Sequence, residues 1–147
     1  MIVVMEILEK LRSIAVDTAR NAYVPYSEFP VGAAAATSTG EIYRGCNIEN
    51  ASFGMTLCAE ASLIGSLVSN GGEGIEVISC RTVAGVALAP CGRCRQMIME
   101  IAGPACLVDL GEELVRLDTL LPVAFTGRDM DIETTLKNGK WNPSNGN

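Results

Sequence analysis

The chain predicts an α/β fold: a single three-layer α-β-α domain whose five-stranded mixed sheet is covered by helices. Three observations lead there. Apolar residues recur at helical spacing in three separate stretches, five short apolar or small-residue runs lie between turn signals, and the two kinds interleave in the order α-β-β-α-β-α-β-β. The 147 residues, 48% of them hydrophobic and 19% charged, suffice for one sizeable core but not for two independent domains. The expected catalytic domain covers residues 1–137. A polar, flexible tail is expected over 138–147, Trp141 apart.

The elements follow from local pattern. Leu8, Leu11, Ile14, Ala15, Thr18, Ala19 and Ala22 form a 3.6-residue stripe, predicting a helix over 5–22. Pro25 ends that region, since it lacks a donor and restricts Val24 to extended backbone. Residues 31–38 read as a strand, Thr39-Gly40 as a turn and residues 41–46 as the hairpin partner. The run Ala33 to Ala36 has poor strand propensity, so the flanking turns carry that assignment. Asn47 to Met55 is aperiodic and predicts an ordered loop. Ala59, Leu63, Ile64, Leu67 and Val68 then share a helical face until Asn70-Gly71-Gly72. A buried strand is expected over 75–83, a helix over 91–102 stopped by Gly103-Pro104, and strands over 105–110 and 114–117. Asp118 is expected to cap a short turn through Leu121.

Composition excludes several functions. Eleven basic against 17 acidic residues leave a net charge of −6, so there is no cationic surplus for a polynucleotide and a small-molecule partner is favoured. No 18-residue run is free of charges or Gly/Pro breaks, so neither a spanning helix nor a membrane partner is expected. The first residues lack a basic leader with an unbroken apolar stretch, which makes the cytoplasm the expected compartment. In that reducing setting the six cysteines are expected to bind metal or do chemistry rather than form disulfides. The absence of histidine removes Ser-His-Asp triads, Cys-His pairs and every His-containing metal site.

Cys58-Ala59-Glu60 and Pro90-Cys91-Gly92-Arg93-Cys94 stand at the starts of the second and third helices. Cys91 and Cys94, three apart, present both sulfurs on one helical face, and Cys58 can add a third. Helix N-termini favour anionic sulfur. Three protein ligands leave a tetrahedral zinc one open position, the layout of a catalytic site. Glu60, two residues after Cys58, projects to another side of its helix and suits proton transfer better than ligation. Three thiolates put excess negative charge on the site. The two helix ends and Arg93 or Arg95 are the available offsets.

These motifs, and the segments 25–33, 45–50, 91–96 and 120–125 that accompany them, resemble the small, homotetrameric, three-cysteine cytidine deaminases over roughly residues 5–130. The resemblance implies a cytidine deaminase-like fold with one zinc per subunit on Cys58, Cys91 and Cys94, and Glu60 as proton shuttle. It further implies that the Ala59 N–H meets the pyrimidine carbonyl, that Asn47 and Glu49 bind the ribose 3′-hydroxyl, and that Phe29 stacks near the base. Phe125 resembles a ring supplied to a neighbouring subunit's pocket. The implied reaction is hydrolytic deamination of cytidine and 2′-deoxycytidine to uridine and 2′-deoxyuridine with release of ammonia, a step of pyrimidine salvage. One position departs from the pattern: many members carry Arg directly after the catalytic Glu, where this chain has Ala61, and Arg93 becomes the candidate for charge compensation, as in the C-G-R-C of blasticidin-type deaminases.

Other readings compete. A Cys-x-x-Cys pair alone fits a redox pair or half a zinc knuckle equally well, and it is the added Cys58-Ala59-Glu60 that separates them. The same chemistry could serve a cytosine-bearing aminonucleoside antibiotic, and a non-enzymatic zinc-stabilised binding module would use the same thiols. Cys80 and Cys106 lie in apolar strands and read as small core residues, and Cys46 as structural. Phe29 and Phe125 could equally be packing residues, Glu49 a solvated charge, and Arg93 and Arg95 helix-surface charges.

Overall fold

The structure, a computed structural model, describes residues 2–130; the expected tail over 138–147, with Trp141, lies outside the described residues. Helix α1 (Ile2–Ala19) precedes the hairpin β1 (Val31–Ala36) and β2 (Ile42–Cys46). Then come α2 (Ala59–Ser69), β3 (Val77–Thr82), α3 (Gly92–Ala102), β4 (Leu107–Asp109), β5 (Leu114–Arg116) and α4 (Leu117–Leu120). The sheet order is β2-β1-β3-β4-β5, antiparallel except for the parallel pair β3/β4, which is joined through α3. Five mixed strands between helical layers match the expected class.

The alanine run explains how the layers fit. Ala34 and Ala36 face α1, where Leu8, Leu11 and Ala15 cover them, while Ala33 and Ala35 face α2 and α3 with Leu63, Ile78 and Ile98. Side chains alternate across a strand, so four methyls let helices approach both faces closely. Burial therefore overrides weak strand propensity. Two glycines mark where the helices touch the sheet. A Cβ on Gly32 would lie 1.9 Å from the Ala15 carbonyl oxygen of α1, and one on Gly45 would lie 2.3 Å from the Leu63 nitrogen of α2.

Several element ends are shorter than expected. α1 stops at Ala19, with a turn closed by the Asn21 and Ala22 N–H groups donating to Thr18 and Ala19 carbonyls at 3.0 and 3.1 Å. β1 ends at Ala36 because Thr37 turns the chain, its N–H and hydroxyl both engaged with residue 41. The strands expected over 75–83, 105–110 and 114–117 contract to their paired cores. Asp118 does not cap α4: the N-cap is Arg116, and Asp118 sits in the first turn accepting hydrogen bonds from the Arg116 guanidinium at 3.1 and 2.5 Å.

On the α1 face lies a polar cluster that the chain's apolar strand pattern conceals. Asp109, fully buried in β4, accepts from Arg12 at 2.9 and 2.8 Å, from Ser79 at 2.7 Å, from the Gly111 N–H at 2.9 Å and from Arg81. Burial alone would push its carboxyl up. The hydrogen bonds from Arg12, Ser79, Gly111 and Arg81 reverse this and hold it well below the usual carboxylate range. The cluster locks α1, β3 and β4 together on the face opposite α2 and α3.

Candidate active site

Two helix starts converge on the α2/α3 face. Cys58 is the N-cap of α2 and Cys91 the N-cap of α3, positions usually held by Ser, Thr, Asp or Asn. Cys94 follows one turn into α3 and is fully buried. The three sulfurs all lie within 4.8 Å of one another, with Cys58 Sγ and Cys91 Sγ 3.9 Å apart. Tetrahedral thiolates at about 2.3 Å from zinc would stand roughly 3.8 Å apart, so the donor set fits the ion.

The electrostatics point the same way. The Cys58 and Cys94 thiols are raised, first by burial; neighbouring thiols and Glu60 add to this, although Cys94 partly offsets it at Cys58. Cys91 is lowered: burial pushes it up, but the Cys94 peptide N–H and the other two thiols outweigh that. Three crowded sulfur acids beside a carboxyl give up their protons together only to a cation.

Glu60, 6% exposed, lies in the first turn of α2. Together with Asn47, Cys58, Ala59 and Cys91 it lines a cleft of ≈160 Å³, whose apolar wall includes Val31, Cys80 and Leu88. The cleft is thus small, largely apolar and supplied with an acid at the sulfur cluster. A roomier cleft of ≈450 Å³ between α3 and the 121–128 segment contains none of the three clustered cysteines.

The loop after β2 is tied directly to this site. Ile48 pairs with Leu57 through two 2.9 Å backbone hydrogen bonds, and Asn47 and Glu49 are held against Tyr23 at 3.1 and 2.8 Å. Residues two apart on extended backbone share a face, so Asn47 and Glu49 project together next to Leu57-Cys58. Asn47 Oδ1 accepts the Val31 N–H and its Nδ2 donates to the Phe29 carbonyl, both at 2.9 Å. Glu49 accepts from the Tyr26 and Ser27 N–H groups at 2.9 and 3.2 Å and from the Ser27 hydroxyl. Its carboxyl is lowered from the usual value, chiefly by that hydroxyl.

The structure therefore brings Cys58, Ala59, Glu60, Cys91, Cys94 and Asn47 together, with Glu49 on the adjoining loop. It does not bring the rings. Phe29 is half-exposed and outside the cleft lining, and Phe125 is 60% exposed, its carbonyl accepting from Gln96 at 2.7 Å. Arg93 donates to the Thr56 carbonyl at 3.3 Å, two residues before Cys58, and Arg95 ties the Pro90 and Leu120 carbonyls at 2.8 Å each. Cys106 is a core residue as expected, its thiol pushed up to about 12 by burial. Cys80 is also buried, but it forms part of the cleft wall beside Glu60, and its thiol is raised by burial and then by that carboxylate. Its place between Ser79 and Arg81, whose side chains face α1, was the available signal.

Residues 5–109 match the sequence model of the cytidine and deoxycytidylate deaminase zinc-binding region. The chain belongs to this family. Its relatives include the cytidine deaminase of Mycobacterium tuberculosis, 46% identical over 84% of this chain and 92% of the relative. The cytidine deaminase of Sporosarcina psychrophila is 38% identical over 84% and 94%. In three dimensions the chain is similar to the crystal structure of the Mycobacterium tuberculosis enzyme, with a TM-score of 0.78, 46% identity, and coverage of 80% of this chain and 96% of the other.

Proposed function

We propose that the protein is a zinc-dependent cytidine deaminase that hydrolyses cytidine and 2′-deoxycytidine to the uracil nucleosides and ammonia. The observation that carries this reading is the sulfur triangle of Cys58, Cys91 and Cys94 beside a cleft that also holds the carboxyl of Glu60. Cys58, Cys91 and Cys94 would hold zinc, which when bound supplies Lewis acidity that makes water nucleophilic at neutral pH. Glu60 takes the proton of the attacking water and delivers it to the pyrimidine N3, then takes the proton of the hydroxyl newly bonded to C4 and passes it to the amine, so that the C4–N bond breaks, the C4 carbonyl forms and ammonia leaves. The Ala59 N–H, at the start of α2, donates to the pyrimidine carbonyl. Arg93, at the start of α3, offsets the thiolates in place of the Arg that Ala61 lacks.

Donor and acceptor counting supports the ribose role of Asn47 and Glu49. Asn47 has used its oxygen once and one of its two N–H protons, leaving one donor. Glu49 Oε2 accepts two peptide N–H groups, while Oε1 accepts one hydroxyl and keeps a lone pair. One spare donor beside one spare acceptor matches an alcohol group. That match favours a sugar 3′-hydroxyl over the differently substituted ring of an aminonucleoside antibiotic.

We extend the proposal to one zinc per subunit and to a cytoplasmic homotetramer of pyrimidine salvage, in which Phe29 stacks near the base and Phe125 completes a neighbour's site. The exposure of Phe29, Phe53, Val123 and Phe125, and the open Tyr26–Phe53 edge contact at 5.8 Å, support an oligomer that covers them. Among the described residues no helix is long and apolar enough to cross a membrane. The test is metal analysis of the reduced protein together with ammonia release from cytidine and from an aminonucleoside antibiotic. One zinc per chain and preferential release from cytidine are expected. A metal-free protein, or one active only on the antibiotic, would overturn the reading.

A further inference from the structure

Glu49 and Phe29 are linked through a single side chain that the proposed reaction leaves unused. Ser27 Oγ donates to Glu49 Oε1 and accepts the Phe29 N–H at 3.1 Å. The hydroxyl has one proton to give and gives it to the carboxylate, so the two bonds run in one direction and polarise each other. The Tyr26 and Ser27 N–H groups fix only the other oxygen, Oε2. Between Ser27 and Phe29 stands Glu28 at φ +55°, left-handed backbone that a residue with a side chain rarely adopts. Its N–H donates to the Val24 carbonyl at 3.0 Å, closing the turn that carries Ser27 beneath Glu49. Backbone of this kind persists where its surroundings over-determine it. Here five hydrogen bonds within residues 24–29 and Glu49 do so.

We infer that Ser27 is a positioning residue for sugar recognition: its hydroxyl fixes the rotation of the Glu49 carboxylate so that the remaining lone pair of Oε1 faces the substrate's 3′-hydroxyl. The inference rests on the ribose role proposed for Glu49. Without the Ser27 hydroxyl, Glu49 keeps its two peptide donors on Oε2, but Oε1 loses the partner that sets its direction. The Phe29 N–H is released at the same time. The cost falls on substrates that carry the 3′-hydroxyl and spares those that lack it.

The test compares kcat/KM for cytidine and 3′-deoxycytidine in the zinc-replete wild-type protein and in Ser27→Ala, Ser27→Gly, Ser27→Thr and Glu49→Gln. The ratio of the two values is internal to each preparation, so a misfolded fraction cannot change it. A hydrogen bond to a charged partner makes the wild-type ratio roughly 10- to 100-fold. Ser27→Ala and Ser27→Gly should lower it more than threefold, mainly through KM for cytidine, while Ser27→Thr keeps it within twofold. Glu49→Gln should remove most of it. A Ser27→Ala or Ser27→Gly ratio within threefold of wild type, with Glu49→Gln collapsed, would overturn the role of Ser27 alone. A ratio unchanged in Glu49→Gln would instead overturn the ribose reading itself.

Discussion

Substituting Gly45 by alanine should damage both stability and catalysis, because the site hangs on the helix that this glycine touches. The added Cβ would stand 2.3 Å from the Leu63 nitrogen, 2.6 Å from the Ala59 carbonyl oxygen and 2.8 Å from the Ser62 carbonyl carbon, all backbone atoms of α2. No rotamer change relieves a clash with backbone. Restoring the nearest contact to about 3.4 Å requires α2 to retreat by roughly 1 Å, and overpacking of that kind costs about 1–3 kcal/mol. For a domain of this size the loss lowers Tm by about 2–12 °C. The same retreat moves Ala59 and Glu60 and their Cys58 cap away from Cys91, and a misplacement near 1 Å can cost about 100-fold in rate. The assay is thermal unfolding together with kcat/KM for cytidine. Gly65, exposed in the same helix with nothing within 4 Å of an added Cβ, supplies the control. Gly65→Ala should stabilise by about 0.5–1 kcal/mol and leave activity intact. A Gly45→Ala protein with wild-type Tm and kcat/KM would refute the claim that close approach of α2 to β2 sets the site.

Asp109→Asn should destabilise by about 3–5 kcal/mol, since it leaves Arg81 buried without its carboxylate. The Asp109 pKa is depressed in the fold, so its stabilisation is complete above about pH 4 and disappears as pH falls through the folded value. The difference in unfolding free energy between wild type and Asp109→Asn should therefore shrink on acidification; a gap that widens below pH 4 would contradict the cluster's assignment. Thiol labelling of the native, metal-free protein at pH 8 should reach exposed Cys91 and spare buried Cys80 and Cys106, and zinc should protect Cys91. Mass mapping that finds Cys106 modified before Cys91 would count against the packing described. Cys91→Ser should lower bound zinc while leaving the apo protein folded, as read by metal analysis and circular dichroism.

The site was legible in the sequence where its signals are local. Cys58, Cys91 and Cys94 sit at helix starts that Pro90 and the apolar stripes announce, and helix geometry fixes the spacing of the last two. The sheet was legible to within a few residues, because turn signals bracket each strand; the ends failed where residues such as Ser38 and Val83 look extended but find no strand partner among the described residues. What stayed hidden depends on register. Arg12 and Asp109 are 97 positions apart, and only the pairing of β3 with β4 reveals that Ser79 and Asp109 stand side by side. A buried arginine two residues after a serine in an otherwise apolar strand was the one available hint. Ser27 was likewise read as part of a break after α1, since its partner lies 22 residues on, across a loop whose path no local pattern dictates.

In the proposed reaction Glu60 moves the proton at a centre held by Cys58, Cys91 and Cys94. The most direct measurement is single-turnover conversion of cytidine by zinc-loaded Glu60→Gln beside the wild type, with cytidine affinity and metal content determined on the same samples. Full zinc, retained binding and a rate lower by roughly 100- to 10,000-fold are expected. Turnover within tenfold of wild type at equal zinc content would contradict this role of Glu60.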